Sequence, residues 1–478
     1  MALSDAEVAT LGRLRVRLDR DSRSYVTRDG FRMPGFRSLR AYYRGMQRLE
    51  QLGLAVPNDL RDFVTIVAWP RTYVDAIVAR LRPQGFLLNG EADSELWRYW
   101  QANNLDTEMR MALIDMCVYG RGYLAAGTNE VDGTTPLLTV ESPLQMVHEW
   151  SNRHRRVTAA ARFYTEDVGG ITEARATLYL PDQTVWLRRN TSDPGWSEDG
   201  DRDEHGLGRV PVEPLINRAT TEDRYGESEM GPIIGLTDAA ARALTNAQVA
   251  TEVMSLPQRW AAGMTAADFK DPETGEALTA WEAYFGSVWA TANKDAQFGQ
   301  FSAADLNNFK TIVGLYAQLV AGVTGLPMRY LGQMGDNPAS ADSIRAEADR
   351  ITATAEEKQS MADGPIESLM RTGRRIATGD DDPELAQLVT DWRPAATPSQ
   401  AQATDAAVKM HAEGLYSRRQ TLREMGKSPQ EIALIEAELD EEGLAPGVAD
   451  ILSKVATPAP TPTATTTNTG NAPGDGAV

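Results

Sequence analysis

Tyr225-Gly-Glu-Ser-Glu-Met-Gly-Pro-Ile-Ile-Gly-Leu-Thr-Asp-Ala-Ala-Ala-Arg-Ala-Leu-Thr-Asn-Ala-Gln-Val-Ala-Thr-Glu-Val-Met254 opens the stretch, running on to Arg350, whose pattern decides the fold. Ile233, Leu236, Ala240, Leu244, Ala247, Ala250 and Met254 recur at helical spacing after Gly226 and Pro232, with Pro257 just beyond, so the period predicts a helix over 232–256. A second helix, 304–326, follows Ser302 through Leu306, Phe309, Val313, Tyr316, Val320 and Val323 to Gly325-Leu-Pro327. Between them, Trp260 to Phe301 switches to short aromatic and β-branched runs broken by Asp271-Pro-Glu-Thr-Gly275, a turn-like sequence. Two helices therefore bracket a small excursion. Beyond them, Tyr330-Leu-Gly-Gln-Met-Gly-Asp-Asn-Pro338 reads as a loop made deformable by Gly332 and Gly335. Asn337 or Ser340 can cap a third helix reaching about residue 377, with an interruption expected at Asp363-Gly-Pro365.

Outward from this stretch, the chain before residue 83 carries a dense run of arginines from Arg13 to Arg48, interleaved at first with Leu11, Leu14, Val16 and Leu18. That interleaving predicts an amphipathic helix with a basic face, directed either to acidic neighbours or subunits or to phosphates. A further helix is expected over 59–81, interrupted at Trp69-Pro70, and helical patterning continues through 92–118. From Gly122 the pattern shortens to β-like runs such as Leu137-Leu-Thr-Val140, Val157 to Tyr164 and Thr184-Val-Trp-Leu187, separated by turn residues, so 122–215 is read as an antiparallel β-rich subdomain. The polar, acidic stretch between Asn190 and Gly208 reads as an exposed loop. After the third helix, Leu385 to Trp392 reads as a strand and Ser399 to Glu442 as two or three short helices. Beyond Pro446 disorder is expected, over 447–478, because the Thr/Pro-rich residues from 457 onward cannot bury enough apolar area to offset chain entropy.

Composition bounds the chemistry. With 478 residues and 42% hydrophobic content the chain can build two to four packed units. There is no apolar run long enough to span a bilayer, and the first residues lack the basic and apolar regions of a secretory signal, so synthesis in the cytoplasm is expected, with no membrane partner. A net charge of −19 argues against gripping nucleic acid by phosphate neutralisation, but not against contact with DNA that must slide past a surface. The single cysteine, Cys117, lies in an apolar stretch and reads as a buried structural thiol. Four histidines in no metal-ligand spacing, a Gly120-Arg-Gly122 segment without the Lys-Ser/Thr ending of a phosphate loop, and a Ser228 without the second glycine of a nucleophile elbow leave no expected catalytic, metal or cofactor site. Acidic pairs such as Glu356-Glu357 read as solvated helix faces.

Asp223-Arg-Tyr-Gly-Glu-Ser-Glu229, Leu236-Thr-Asp-Ala-Ala240, Pro257-Gln-Arg-Trp260, Val323-Thr-Gly-Leu-Pro327 and Asp336-Asn-Pro-Ala-Ser-Ala-Asp342, with Tyr42-Tyr-Arg-Gly45, Gln47-Arg-Leu49 and Trp69-Pro-Arg71 earlier, resemble the portal proteins of tailed bacteriophages over roughly residues 35–445. The resemblance implies an α+β portal-type subunit: a wing over 1–231, stem helices at 232–256 and 304–326, a small α/β clip at 257–303 and a tunnel loop at 327–340. A long channel helix and the return strand of the wing at 341–396 and a helical crown at 397–446 complete it. It further implies a homo-oligomeric ring, commonly of twelve copies, at one capsid vertex of the virion, assembled in the host cytoplasm. Double-stranded DNA passes through such a ring. Its partners are the terminase large subunit, a head-completion or adaptor protein, and the major capsid and scaffolding proteins.

Within that frame Gln333, Met334, Gly335, Asp336 and Asn337 fall in the DNA-channel loop. Trp281, Tyr284, Phe285 and Trp289 fall in the clip as partner-docking residues, and Ala240, Leu244, Ala247, Phe309, Val313 and Tyr316 pack subunits along the stem. The competing reading is an acidic helical scaffold or adaptor that never touches DNA.

Overall fold

The structure is a computed structural model, and it describes residues 3–26, 30, 32–47, 65–189, 195–254, 259–263, 294–300, 306–333, 341–396 and 400–441. The chain mixes helices and antiparallel sheets and divides into two compact units: residues 1–81 with 102–380, and residues 82–101 with 381–478.

In the first unit the amphipathic N-terminal helix runs Asp5–Ser22 and starts at a complete capping box, in which Ser4 and Glu7 each satisfy the other's backbone N–H. Leu11, Leu14 and Leu18 are buried; Val16, expected among them, is 71% exposed because it projects from the opposite face. The basic face is directed to acidic and aromatic neighbours, Arg13 to Glu149 at 2.9 Å and the Arg15 guanidinium 5.1 Å from the Phe163 ring centre.

This helix covers a five-stranded antiparallel sheet with strand order Ser197–Glu198, Thr184–Arg189, Ile171–Tyr179, Arg156–Val168, Met146–Ser151. Gly169 and Gly170, both at positive φ, turn the chain between the two longest strands, whose register pairs Val168 with Ile171. Alternation then separates two faces. Val147, Ala159, Ala161, Phe163, Leu178 and Leu187 pack on the N-terminal helix, while Met146 and Ala160 pack against Tyr123, Ala125 and Val212 of a three-stranded sheet, Val212–Ile216, Arg121–Gly127, Leu137–Glu141. Strands accordingly fill the region read as β-rich from its residue patterning.

The helical segments differ from expectation in two places. Trp69-Pro70 does not interrupt a helix: the helix is Trp69–Val78 and Pro70 sits in its first turn, where a fixed φ is useful and no N–H is required. Residues 59–64, the start of the expected helix, lie outside the described residues. Asp363-Gly-Pro365 does not interrupt the third helix either, which runs unbroken from Ala341 to Thr378. Pro365 forfeits one backbone hydrogen bond, and burial of Ala362, Ile366, Leu369 and Met370 on both sides holds the rod together. The helices Ser94–Ala102 and Leu105–Tyr119 meet at Asn104, whose φ of 54° breaks the run. Cys117 in the second of these is fully buried.

The second unit is built on a sheet of order Val389–Trp392, Pro83–Leu88, Glu91–Ala92. Phe86 stacks edge-on to Trp100 at 5.6 Å, and Trp97 lies parallel to Trp100 at 5.8 Å, so three aromatic rings supply much of a small core. Three short helices follow, Gln400–Ala412, Arg418–Glu424 and Pro429–Glu441, close to the helices read from the sequence. The tail beyond residue 441 lies outside the described residues.

Candidate functional site

The two apolar helices at the centre of the sequence are Gly231–Met254 and Asn307–Thr324, and they pack on one another. Ala240, Ala241, Ala317 and Val320 are fully buried, small enough to let the backbones approach. Thr237 and Thr245 are also buried, and each hydroxyl donates to the carbonyl four residues back, so no polar hydrogen is stranded. The longer helix is further fixed by Tyr42, which donates to Asp238 at 2.7 Å, and by Thr65, which donates through its backbone N–H to Thr245 and through its hydroxyl to Gln248.

Ala240, expected on a subunit-packing face, is thus enclosed within the chain, whereas Leu244, Ala247, Phe309, Val313 and Tyr316 are half-buried. A different apolar set is left uncovered: Ile312 41%, Leu315 52%, Leu319 46% and Val323 48% exposed, spaced three or four apart along one side of the shorter helix. Periodicity found the helix but could not tell its inner stripe from this outer one, since both are apolar.

Between the helices, Arg259–Ala262 pairs with Gln297–Gln300, placing Gly299 against the Trp260 indole, which a Cβ would meet at 2.5 Å. Trp281, Tyr284, Phe285 and Trp289 lie outside the described residues. So do Met334, Gly335, Asp336 and Asn337; Gln333, half-buried, is the last described residue before them. On the approach, Gly325 takes φ +70° under the Arg350 side chain, whose guanidinium donates to the carbonyls of Gly322 and Val323 and caps the helix end.

The motif Asp223–Glu229 forms the junction from which the longer helix leaves. Gly226, at φ +73°, is wedged so closely that a Cβ would lie 2.4 Å from the Asn217 carbonyl oxygen and 2.5 Å from that of Gly120. Tyr225 is held among cations, with the Arg17 guanidinium 3.7 Å and that of Arg121 5.4 Å from its ring centre and the His148 ring 4.9 Å away. Arg121 is itself buried and paired with Asp21.

Glu229 has no exposure at all. Its carboxylate accepts from Tyr73 at 2.9 Å, Asn217 at 3.1 Å and Arg218 at 2.6 and 2.8 Å, and ion-pairs at 3.0 Å with Lys358, a fully buried lysine on the 341–378 helix. Burial alone would raise its pKa, but Arg218 and Lys358 overcome that and hold it down at about 2. Burial and the nearby Glu229 charge push the Cys117 thiol up to about 12, far from a reactive thiolate.

Residue-type reasoning missed this network because its members are scattered from Tyr73 to Lys358. The available signal was a lysine on the buried stripe Ile351, Ala355, Lys358, Ala362. Chemically the junction is an anchor, with every carboxylate oxygen of Glu229 engaged. Among the described residues no group of His, Cys, Asp and Glu could hold a metal ion, and no helix is long and apolar enough to cross a membrane.

The chain has relatives among known proteins. The family model described as phage portal protein, SPP1 Gp6-like, matches residues 32–443. The portal protein of Mycobacterium phage D29 is 38% identical over 406 residues, covering 82% of each chain, and that of Mycobacterium phage L5 is 38% identical over 405 residues with the same coverage. A chain in the virion of a native gene transfer agent particle superposes with a TM-score of 0.46 at 14% identity, over 87% of this chain and 98% of its own. The matched span takes in both central helices, the Asp223–Glu229 junction and the buried Lys358, and the chain belongs to the phage portal protein family.

Proposed function

We propose that copies of this chain close into a ring in which its uncovered apolar helix face is covered by an identical neighbour, and that double-stranded DNA moves through the ring during packaging and ejection. The observation that carries the reading is the row Ile312, Leu315, Leu319 and Val323, left exposed after the two central helices have packed. In a closed ring each copy presents this row to the next, with the half-buried Leu244, Ala247, Phe309, Val313 and Tyr316 completing the contact. Twelve copies, at the unique vertex of the virion capsid, is the proposed stoichiometry.

In this reading 1–231 is the wing, the two helices are the stem, and 257–303 is the clip, where Trp281, Tyr284, Phe285 and Trp289 dock the terminase large subunit and later the head-completion protein. Residues 333–337 form the channel loop, 341–396 the channel helix and return strand, and 397–446 the crown. Contacts with the major capsid and scaffolding proteins lie on the outside. The work is mechanical, and nucleotide hydrolysis belongs to the motor. Native mass spectrometry tests it: Leu315→Glu with Leu319→Glu leaves the melting temperature within a few degrees of wild type and abolishes the ring. Rings that form normally from this variant, or a wild-type chain that stays monomeric at micromolar concentration, defeat the reading.

A further inference from the structure

A cavity of about 740 Å³ lies in the first unit, away from the two central helices, walled by the Met146–Ser151 strand and its following turn, residues 209–224 and the middle of the 341–378 helix. Its charge runs against that of the molecule. In a chain of net charge −19, the wall carries Arg155, Arg156, Arg209, Arg224 and Arg371 and a single carboxylate, Glu213. Glu213 is already engaged by Arg209 and by the Ser368 hydroxyl at 2.9 Å. Arg155 and Arg224 have no ion-pair partner among the described residues.

The rest of the lining specifies what fits there. The lining also includes the apolar side chains of Val157, Val210, Ile216, Met361 and Pro365. His148 belongs to the same wall and is fully buried, its Nδ1 3.0 Å from the Tyr123 hydroxyl. A wall that joins arginines to apolar side chains suits an occupant that carries both acceptors and an aliphatic body. A DNA backbone gains nothing from those apolar side chains, because its phosphates pair with the arginines alone.

We infer that this cavity is a docking site for a partner-protein segment in which aliphatic side chains are flanked by carboxylates. The aliphatic groups pack on Val157 and Pro365, and the carboxylates meet Arg155, Arg156 and Arg224.

Fluorescence anisotropy on the full-length protein, with a short fluorescein-labelled peptide of repeated Asp-Leu-Glu as probe, tests the site. The expected result is saturable binding that weakens with added salt and loses about tenfold or more in affinity both in Arg155→Glu with Arg224→Glu and when the peptide leucines become serines. Thermal melts check that the variant is folded, and Arg155→Gln alone, at an exposed position, gives a milder second reading of the same loss. Absence of binding overturns the proposal. So does equal binding of the serine peptide, or stronger binding of a short DNA duplex, since either result reduces the site to a general polyanion patch.

Discussion

Glu229, fully buried, pairs with the fully buried Lys358 and with Arg218, whose side chain stays 45% exposed, and three elements distant in sequence converge there through single side chains. Removing one partner of such a group strands the other, so Glu229→Gln is expected to cost about 3–5 kcal/mol, read by chemical denaturation. Adding Lys358→Met to it should cost less than the two single changes summed, because the lysine no longer lacks a counter-charge. The pH dependence has a definite sign. With the folded pKa depressed to about 2 from the model-compound value of 4.5, the carboxylate's stabilisation is fully present above pH 4.5 and is lost as pH falls from there through 2. Acid titration of unfolding should therefore be flatter over that window in Glu229→Gln than in wild type. An identical acid limb in both proteins would show that the charge network does not contribute.

At the scale of elements, the 341–378 helix carries a Gly-Pro pair inside an otherwise unbroken rod. A Cβ built on Gly364 meets nothing within 4 Å, so Gly364→Ala should raise stability by about 1 kcal/mol through reduced chain entropy, measured as a rise in melting temperature. A fall would mean that the helix requires a bend there that alanine resists. The same helix shows what a sequence can disclose. The two central helices were legible because each presents a long stripe at constant period, and the β-rich region because turns punctuate short runs. Trp69-Pro70 and Gly364-Pro365 misled because proline's local rule gives no weight to position within a helix or to burial around it. Lys358 was illegible as an anchor, since its partner Glu229 lies on another element and the flanking Glu356 and Glu357 are exposed.

For the whole molecule, the family assignment and the central helix pair lead to expectations about assembly. Deleting 457–478 should change neither the melting temperature nor the ring, because that Thr/Pro-rich sequence lacks core-forming periodicity; sizing of the truncated protein checks this, and loss of the oligomer would show the tail to be docked. Gly332 sits at φ +78°, so Gly332→Val strains the entry to the proposed channel loop, and the expected outcome is intact rings with impaired DNA packaging or retention. Variant particles that fill and hold DNA normally would remove that loop from the DNA path. The second unit carries a different kind of consequence. Its sheet joins Pro83–Leu88 to Val389–Trp392, and Gln84 bonds Asp391 across a separation of 307 residues. During synthesis the early strand leaves the ribosome long before its partner exists, with an open edge. This part of the chain can therefore mature only after nearly all of the first unit has been made, which sets a temporal order on the folding of every copy and makes chaperone protection most valuable in that interval.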